Sequence, residues 1–300
     1  MTRNDRRRDL RPIARESGAL AMVAMDQRES LRTMFDAAGA GRPADDVLRA
    51  FKLDVAEVLG PLASGFLIDR HYGYPEVRDA GLLPASTGLI LAADALTQDD
   101  GGPVEETALD EVVCAPDFDL AGVAAIKLLI IWRRDEHRAR RIELARSFIN
   151  TAARRGVLSV LEPVVRSTPG ELDDGSWDAD DAIVEAAKEL SPLGPSLYKV
   201  QVPLAGAGEK TEQAAASERL AAAITGPWVV LSQGVERDRF LPAVEAACRA
   251  GASGFLAGRA LWSDIVGADD VPAALRQTSV PRLRALIDVV DRNARPWSEA

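Results

Sequence analysis

Cysteine, histidine and lysine are all scarce in this chain, and each scarcity excludes something. The two cysteines, Cys114 and Cys248, are too few for a disulfide framework or a cysteine-rich metal site. Each reads as a small buried hydrophobe. The two histidines, His71 and His137, are too scattered for a metal site, so no metal is expected. No run of about 18 apolar residues occurs, so nothing is expected to span or enter a membrane. The charged opening Met1–Arg15 lacks the apolar stretch of a signal peptide. A soluble, cytoplasmic protein is the expectation. Positive charge is also in deficit: a net charge of −10 and a pI near 4.9 argue against nucleic acid as a partner. A local arginine cluster can still attract a small anionic substrate.

What is present is ample apolar sequence, 47% of 300 residues, enough for one large core. Short apolar runs alternate with helix-like stretches throughout. The predicted strands are Ala19–Asp26, Gly65–Asp69, Thr87–Asp94, Ala125–Trp132, Leu158–Val165, Leu197–Pro203, Trp228–Gly234 and Gly254–Arg259. Between them Asp135–Arg155, Asp178–Leu190, Glu209–Ile224 and Arg237–Ala250 carry apolar residues at helical spacing. Eight such units in 300 residues predict an α/β protein, a (β/α)8 TIM barrel formed as a single domain over 1–300. A helical lead-in is expected at about 5–18, with the basic cluster Arg3–Arg11 as its solvated opening. An open doubly wound sheet is the alternative, but the first turn, Asp26-Gln27-Arg28-Glu29, is not a glycine-rich dinucleotide fingerprint. The segments Gln98–Pro103 and Ser167–Trp177 read as long loops that would rim the active-site face.

The 36 basic residues include only five lysines, and two of these, Lys127 and Lys199, sit inside apolar strands. Only lysine offers an amine that can become a neutral nucleophile. Side chains alternate along a strand. Leu197, Lys199 and Gln201 therefore share one face, with Tyr198, Val200 and Val202 on the helix-facing side. The same alternation turns Lys127 inward between Ile126 and Leu128, and groups Glu162 with Leu158, Val160 and Val164. Two lysines and a glutamate meeting in the barrel would form a buried charged cluster. An amine beside another cation loses basicity and becomes nucleophilic toward a carbonyl, and a nearby glutamate can shuttle protons. Asp26 ends the first strand and joins the candidate set, whereas Asp69 and Asp94 read as loop or capping residues.

The last two strands suggest an anion site. Ser232-Gln233-Gly234 and Gly258-Arg259 put backbone N–H groups and one guanidinium where barrels commonly bind a phosphate. Gln27 and Arg28, in the first turn, are further substrate-binding candidates; with Lys52, Arg70 and His71 they could meet an anion at the far end of a substrate.

At these residues the sequence resembles a known group. Val23-Ala24-Met25-Asp26-Gln27-Arg28-Glu29-Ser30-Leu31 is similar to the first-strand signature of the class I tagatose-bisphosphate and sulfofructose-phosphate aldolases. Ile126-Lys127-Leu128-Leu129, Leu161-Glu162-Pro163-Val164-Val165, Leu197-Tyr198-Lys199-Val200 and Gly254-Phe255-Leu256-Ala257-Gly258-Arg259-Ala260 continue the likeness in order. Trp132-Arg133 and Glu162-Pro163-Val164-Val165-Arg166 resemble most the 6-deoxy-6-sulfofructose-1-phosphate aldolases. The resemblance implies a Schiff base on Lys199 and general acid/base work by Glu162. It also implies orientation of hydroxyls by Lys127 and Asp26, and a C1 phosphate on Ser232, Gly234, Gly258 and Arg259. It implies no metal or other cofactor, a phosphorylated sugar or sulfosugar as partner, and a homo-oligomer. Two residues depart from the group's pattern: Gln201, where an acidic residue is usual, and Gln233, where a small one is. The expected reaction is cleavage of 6-deoxy-6-sulfofructose 1-phosphate to dihydroxyacetone phosphate and sulfolactaldehyde, with a tagatose or fructose 1,6-bisphosphate as the rival substrate. A sugar-phosphate-binding barrel without catalysis is the remaining reading, against which the intact Lys127, Glu162 and Lys199 set stands.

Overall fold

Alternating apolar strands and amphipathic helices close into a parallel barrel in the computed structural model, which describes residues 9–99 and 101–300. Among the described residues ten strands occur in chain order: β1 (Leu20–Met25), β2 (Gly65–Ile68), β3 (Gly88–Ala92), β4 (Asp94–Gln98), β5 (Val104–Leu109), β6 (Val123–Trp132), β7 (Leu158–Val165), β8 (Leu197–Gln201), β9 (Trp228–Leu231) and β10 (Gly254–Ala257). The barrel order is β1-β10-β9-β8-β7-β6-β3-β2, so each barrel strand pairs with its predecessor and β10 closes onto β1. This is the expected (β/α)8 fold, and the eight predicted strands are its eight staves. The helices Arg138–Arg155, Ala179–Leu190, Lys210–Ala221 and Arg237–Arg249 lie within the stretches whose periodicity predicted them.

The two faces of each stave are those that alternation requires. Leu20, Met22 and Ala24 of β1 pack in the interior with Leu158, Val160 and Leu197. Tyr198 and Val200 of β8, with Ile126, Leu128 and Ile130 of β6, face the helices. The barrel floor is plugged by the chain's own beginning: Leu10 and Ile13 are fully buried among the interior residues. The expected helical lead-in at 5–18 is therefore corrected. Residues 5–8, with most of the Arg3–Arg11 cluster, lie outside the described residues; of the remainder only Arg11–Ile13 forms a short 3-10 turn. Pro12 cannot donate within a longer helix, and its carbonyl presses on β3 where only Gly88 leaves room, since a Cβ there would lie 2.1 Å from it.

Two other expectations change. The described residues of the stretch Gln98–Pro103 belong to the tip of an antiparallel β4–β5 hairpin, an insertion between β3 and β6 rather than a free loop. Ser167–Trp177 contains a short helix, Pro169–Asp173, started by a capping box between Thr168 and Glu171. Among the described residues no helix is long and apolar enough to cross a membrane.

Lys52, expected at the far end of a substrate, is elsewhere. It lies on the helix Asp45–Leu59, packed against β1, and is fully buried in an ion pair with Asp69. Its helix packs Phe51 and Val55 into the outer core, and Lys52 does not line the cavity. Burial lowers the Lys52 pKa, and Asp69 only partly offsets that. Removing one member of such a pair leaves the other charged and uncompensated. Lys52→Met is expected to cost about 3–5 kcal/mol in urea unfolding, with the KM of the folded enzyme unchanged within about twofold. A tenfold rise in KM without loss of stability would restore Lys52 to the site. At Gly254 the backbone has φ +142 and a Cβ would meet the Leu20 carbonyl at 1.9 Å. Gly254→Ala is expected to lower stability by at least about 3 kcal/mol, because strain and overpacking act together; a neutral unfolding midpoint would contradict this closure between β10 and β1.

Candidate active site

The carboxyl ends of the staves open into a cavity of about 550 Å³, a volume suited to a small-molecule substrate. Position along each strand decides what reaches it. Beyond the interior residues Met22 and Ala24, the next inward side chain is Asp26. The same count brings in Asp94 beyond Ile90 and Ala92, Lys127 above Ala125, Glu162 above Val160, and Lys199 above Leu197.

These side chains form one charged cluster. Lys127 Nζ lies 2.8 Å from Asp26 Oδ2, 3.0 Å from Asp94 Oδ2 and 2.8 Å from Glu162 Oε2. Glu162 spans to the second lysine, with Oε1 2.8 Å from Lys199 Nζ. Arg28 completes the group by donating to Asp94 Oδ1 at 2.6 Å and to the Asp94 carbonyl at 2.9 Å. Glu162, Lys127 and Lys199 are each at most 5% exposed, so water screens these interactions little.

Two lysines side by side in sequence-derived parity are expected to lower each other's basicity. At Lys127 the structure reverses that expectation. Burial opposes its charge, but Asp26, Asp94 and Glu162 together outweigh burial and hold its pKa well above the ordinary lysine value. Burial likewise works to raise the Asp26 pKa, and Lys127, Lys199 and Arg28 overcome it and keep that carboxyl well below the usual range. Lys127 is thus a fixed ammonium and Asp26 a fixed carboxylate. Lys199 is placed differently: among the described residues, Glu162 is its one ion-pair partner. Glu162 Oε2, though close to Lys127, lies off hydrogen-bonding geometry and has no donor. A buried acceptor in that state is available to a substrate proton.

Asp94 is the functional candidate that sequence reasoning missed by reading it as a loop or cap. Besides Lys127 and Arg28 it accepts from the Leu129 amide at 3.1 Å. Its inward parity after Ile90 and Ala92 was the available signal. Asp69 does cap, accepting from the His71 and Tyr72 amides at 2.9 and 3.0 Å. That cap curls the chain back, so Arg70 and His71 do not line the cavity. Arg70 donates to Asp110 at 2.6 Å and His71 lies 3.9 Å from the same carboxylate. Neither meets the expectation of a far-end anion contact.

The other flank is open to an anion. Ser232, Gln233 and Gly234 follow β9, Gly258 and Arg259 follow β10, and all five line the cavity together with Gln27. Gly258 is required by close approach: a Cβ there would lie 2.6 Å from the Ala24 carbonyl and 3.1 Å from Gln27 Nε2. Gln201 does not contact Lys199 in an ion pair; its Oε1 accepts from the Val165 amide at 2.7 Å. The register of β7 and β8 covers only Val160–Leu161 against Leu197–Tyr198. Pro163 has no N–H to continue that ladder, and Gln201 bridges the opening. The hairpin tip lines the cavity through Gln98 and Pro103, and Arg133 holds the hairpin by donating to the Glu105 carbonyl at 2.9 Å and pairing with the Glu105 carboxylate.

Residues 20–264 match the DeoC/LacD family aldolase model. A tagatose 1,6-diphosphate aldolase of Listeria monocytogenes serotype 4a is 28% identical over 96% of this chain and 92% of its own. Tagatose 1,6-diphosphate aldolase 2 of Streptococcus pyogenes serotype M3 is 27% identical over 94% of each. Among solved structures, a fructose-bisphosphate aldolase of Plasmodium falciparum superposes with a TM-score of 0.70 at 14% identity, covering 98% of this chain and 96% of that one. Another from Slackia heliotrinireducens gives 0.68 at 19% identity, covering 97% and 88%; both likenesses concern the fold. With the family match spanning most of the chain, this protein belongs to the DeoC/LacD family of aldolases.

Proposed function

We propose that the protein is a class I aldolase that forms a Schiff base through Lys199 and cleaves 6-deoxy-6-sulfofructose 1-phosphate. The observation that carries the Schiff-base reading is the asymmetry between the lysines. Lys127 is held as an ammonium by three carboxylates, while Lys199 meets only Glu162, at 2.8 Å. Glu162 accepts the proton that Lys199 must lose, and the neutral amine attacks the C2 carbonyl. The C2 oxygen receives that proton back from Glu162 and a second one from the attacking nitrogen, and leaves as water to give the iminium. Glu162 then takes the proton of the C4 hydroxyl. The C3–C4 bonding pair moves into a C2–C3 enamine, neutralising the iminium and releasing sulfolactaldehyde. Protonation at C3 and hydrolysis free dihydroxyacetone phosphate and Lys199. Lys127 and Asp26 orient the substrate hydroxyls as fixed donor and acceptor, and Asp94 holds Lys127 in place. Ser232, Gln233, Gly234, Gly258 and Arg259 hold the C1 phosphate.

The sulfonate reading is supported by the sparse positive charge at the rest of the cavity, where Arg166 is the one cation without a carboxylate partner among the described residues. Lys52, Arg70 and His71 are turned to Asp69 and Asp110, and Arg28 is committed to Asp94. A sulfonate brings one negative charge where a phosphate brings nearly two, so it asks less of the site. The rival substrate, a ketohexose 1,6-bisphosphate, is favoured by the names of the Listeria and Streptococcus relatives. Release of dihydroxyacetone phosphate from the sulfosugar phosphate and from tagatose and fructose 1,6-bisphosphates, measured as kcat/KM, separates the two. The sulfonate is expected to lead by at least about tenfold, a difference of about 1.4 kcal/mol. A bisphosphate lead of that size would replace it as substrate. Lys199→Met is expected to abolish cleavage of all three.

A further inference from the structure

Five cationic side chains line the cavity, and their partners sort them into two kinds. Arg28, Lys127 and Lys199 are paired with Asp94, Asp26 and Glu162, three cations against three carboxylates. Glu29, also at the cavity wall, is engaged by Arg32 and Arg42. Arg166 and Arg259 also line the cavity, and neither has a carboxylate at ion-pairing distance among the described residues. They carry the site's excess positive charge. Arg166 Nε is moreover shielded from solvent without any acceptor, a state that asks for a ligand oxygen.

The two guanidiniums stand on opposite flanks of Lys199. In the barrel order β10-β9-β8-β7, Arg259 follows β10, Lys199 lies on β8, and Arg166 follows β7. Arg166 continues the inward count of Val160, Glu162 and Val164, and its own amide is fixed by the Trp132 carbonyl at 2.9 Å. Burial lowers the Arg259 pKa, Glu162 and Asp26 oppose that, and the charge of Arg166 lowers it further. Two like charges facing one cavity are relieved by anions between them. With Glu162 serving the C4 hydroxyl, as proposed above, a ketose joined to Lys199 at C2 with its C1 phosphate on the β9–β10 side runs its remaining carbons over Glu162 toward β7.

We infer that Arg166 binds the anionic group at the end of the substrate remote from the C1 phosphate and thereby sets the preference for a doubly anionic ketose. The inference rests on the Schiff-base aldolase reading for the direction in which the substrate lies. It adds a residue at a position where Lys52, Arg70 and His71 were expected. A single guanidinium fork matches two oxygens of a tetrahedral sulfonate or phosphate.

The test compares Arg166→Gln with the parent enzyme on two ketoses: whichever doubly anionic substrate the parent cleaves best, and fructose 1-phosphate, which has no far-end anion. The kcat/KM on the doubly anionic ketose is expected to fall about 10- to 100-fold, the range for one charge-assisted contact. The value on fructose 1-phosphate is expected to stay within about threefold. Arg166→Lys, which keeps the charge and loses the fork, is expected to recover part of the loss. An equal fall on both substrates would assign Arg166 to the C1 phosphate or to folding, and no fall on either would remove it from binding; both overturn the inference. Binding of the same two ketoses to Lys199→Met protein, with and without Arg166→Gln, is followed by calorimetry and reads the contact without turnover. If the parent cleaves nothing yet Arg166→Gln selectively weakens the doubly anionic ligand, the aldolase reading fails and the anion contact stands. Equal binding by both proteins would overturn the contact itself.

Discussion

One carboxylate shared by two buried ammonium groups organises this site. Glu162 lies 2.8 Å from both Lys127 and Lys199, deep enough that the three charges must satisfy one another rather than water. Each charge brought there carries a desolvation cost, which a lone lysine could not offset. Asp26 and Asp94 are the answer at Lys127, and Arg28 is the answer at Asp94. The cluster is self-neutral, but its internal bonds are unequal. Lys127 is enclosed on three sides, and Lys199 is tethered on one. In the proposed mechanism that inequality assigns hydrogen-bond donation to Lys127 and nucleophilic attack to Lys199, with Glu162 taking the proton.

The barrel supplies this arrangement through parity and through interruptions of the ladder. Every cluster member is the next inward residue above a filled apolar layer, so the packing of Ala24, Ala92, Ala125, Val160 and Leu197 sets the height of the charges. Small residues at three of those positions leave room for long side chains above them. The break in pairing above Leu161 and Tyr198, where Pro163 offers no N–H, opens the wall between Glu162 and Lys199. Gln201 then closes the edge through Val165. An acidic side chain at that position could accept the same hydrogen bond, so the departure from the group's pattern keeps the bridge while omitting a charge.

Most of this was legible before the fold was known, because period-two alternation and eight apolar runs depend only on local sequence. Lys127, Glu162 and Lys199 stand out as charges inside such runs, and glycine next to Arg259 marks a close backbone approach. What escaped reading depends on contacts distant in sequence. Asp94 looks like a strand-ending cap until Lys127, from β6, and Arg28, from the turn after β1, arrive around it. Lys52 looks available until its helix buries it against Asp69. Arg70 and His71 follow β2 as pocket residues should, but Asp69 turns their backbone back toward Asp110. The β4–β5 hairpin alternates too weakly, with exposed Glu105 and Glu106, to be told from a loop. Arg166 lies one residue past its strand, and only the absence of a carboxylate beside it distinguishes it from a surface arginine.

The unequal pairing of the two lysines is tested most directly by borohydride reduction of the protein in the presence of substrate, followed by mass mapping of the peptides. Lys199 as nucleophile predicts irreversible inactivation, with the added mass confined to the peptide that carries Lys199. An adduct on Lys127 would reverse the roles drawn from the three-carboxylate cage. No adduct on either lysine, in protein that turns the substrate over, would contradict the Schiff-base mechanism altogether.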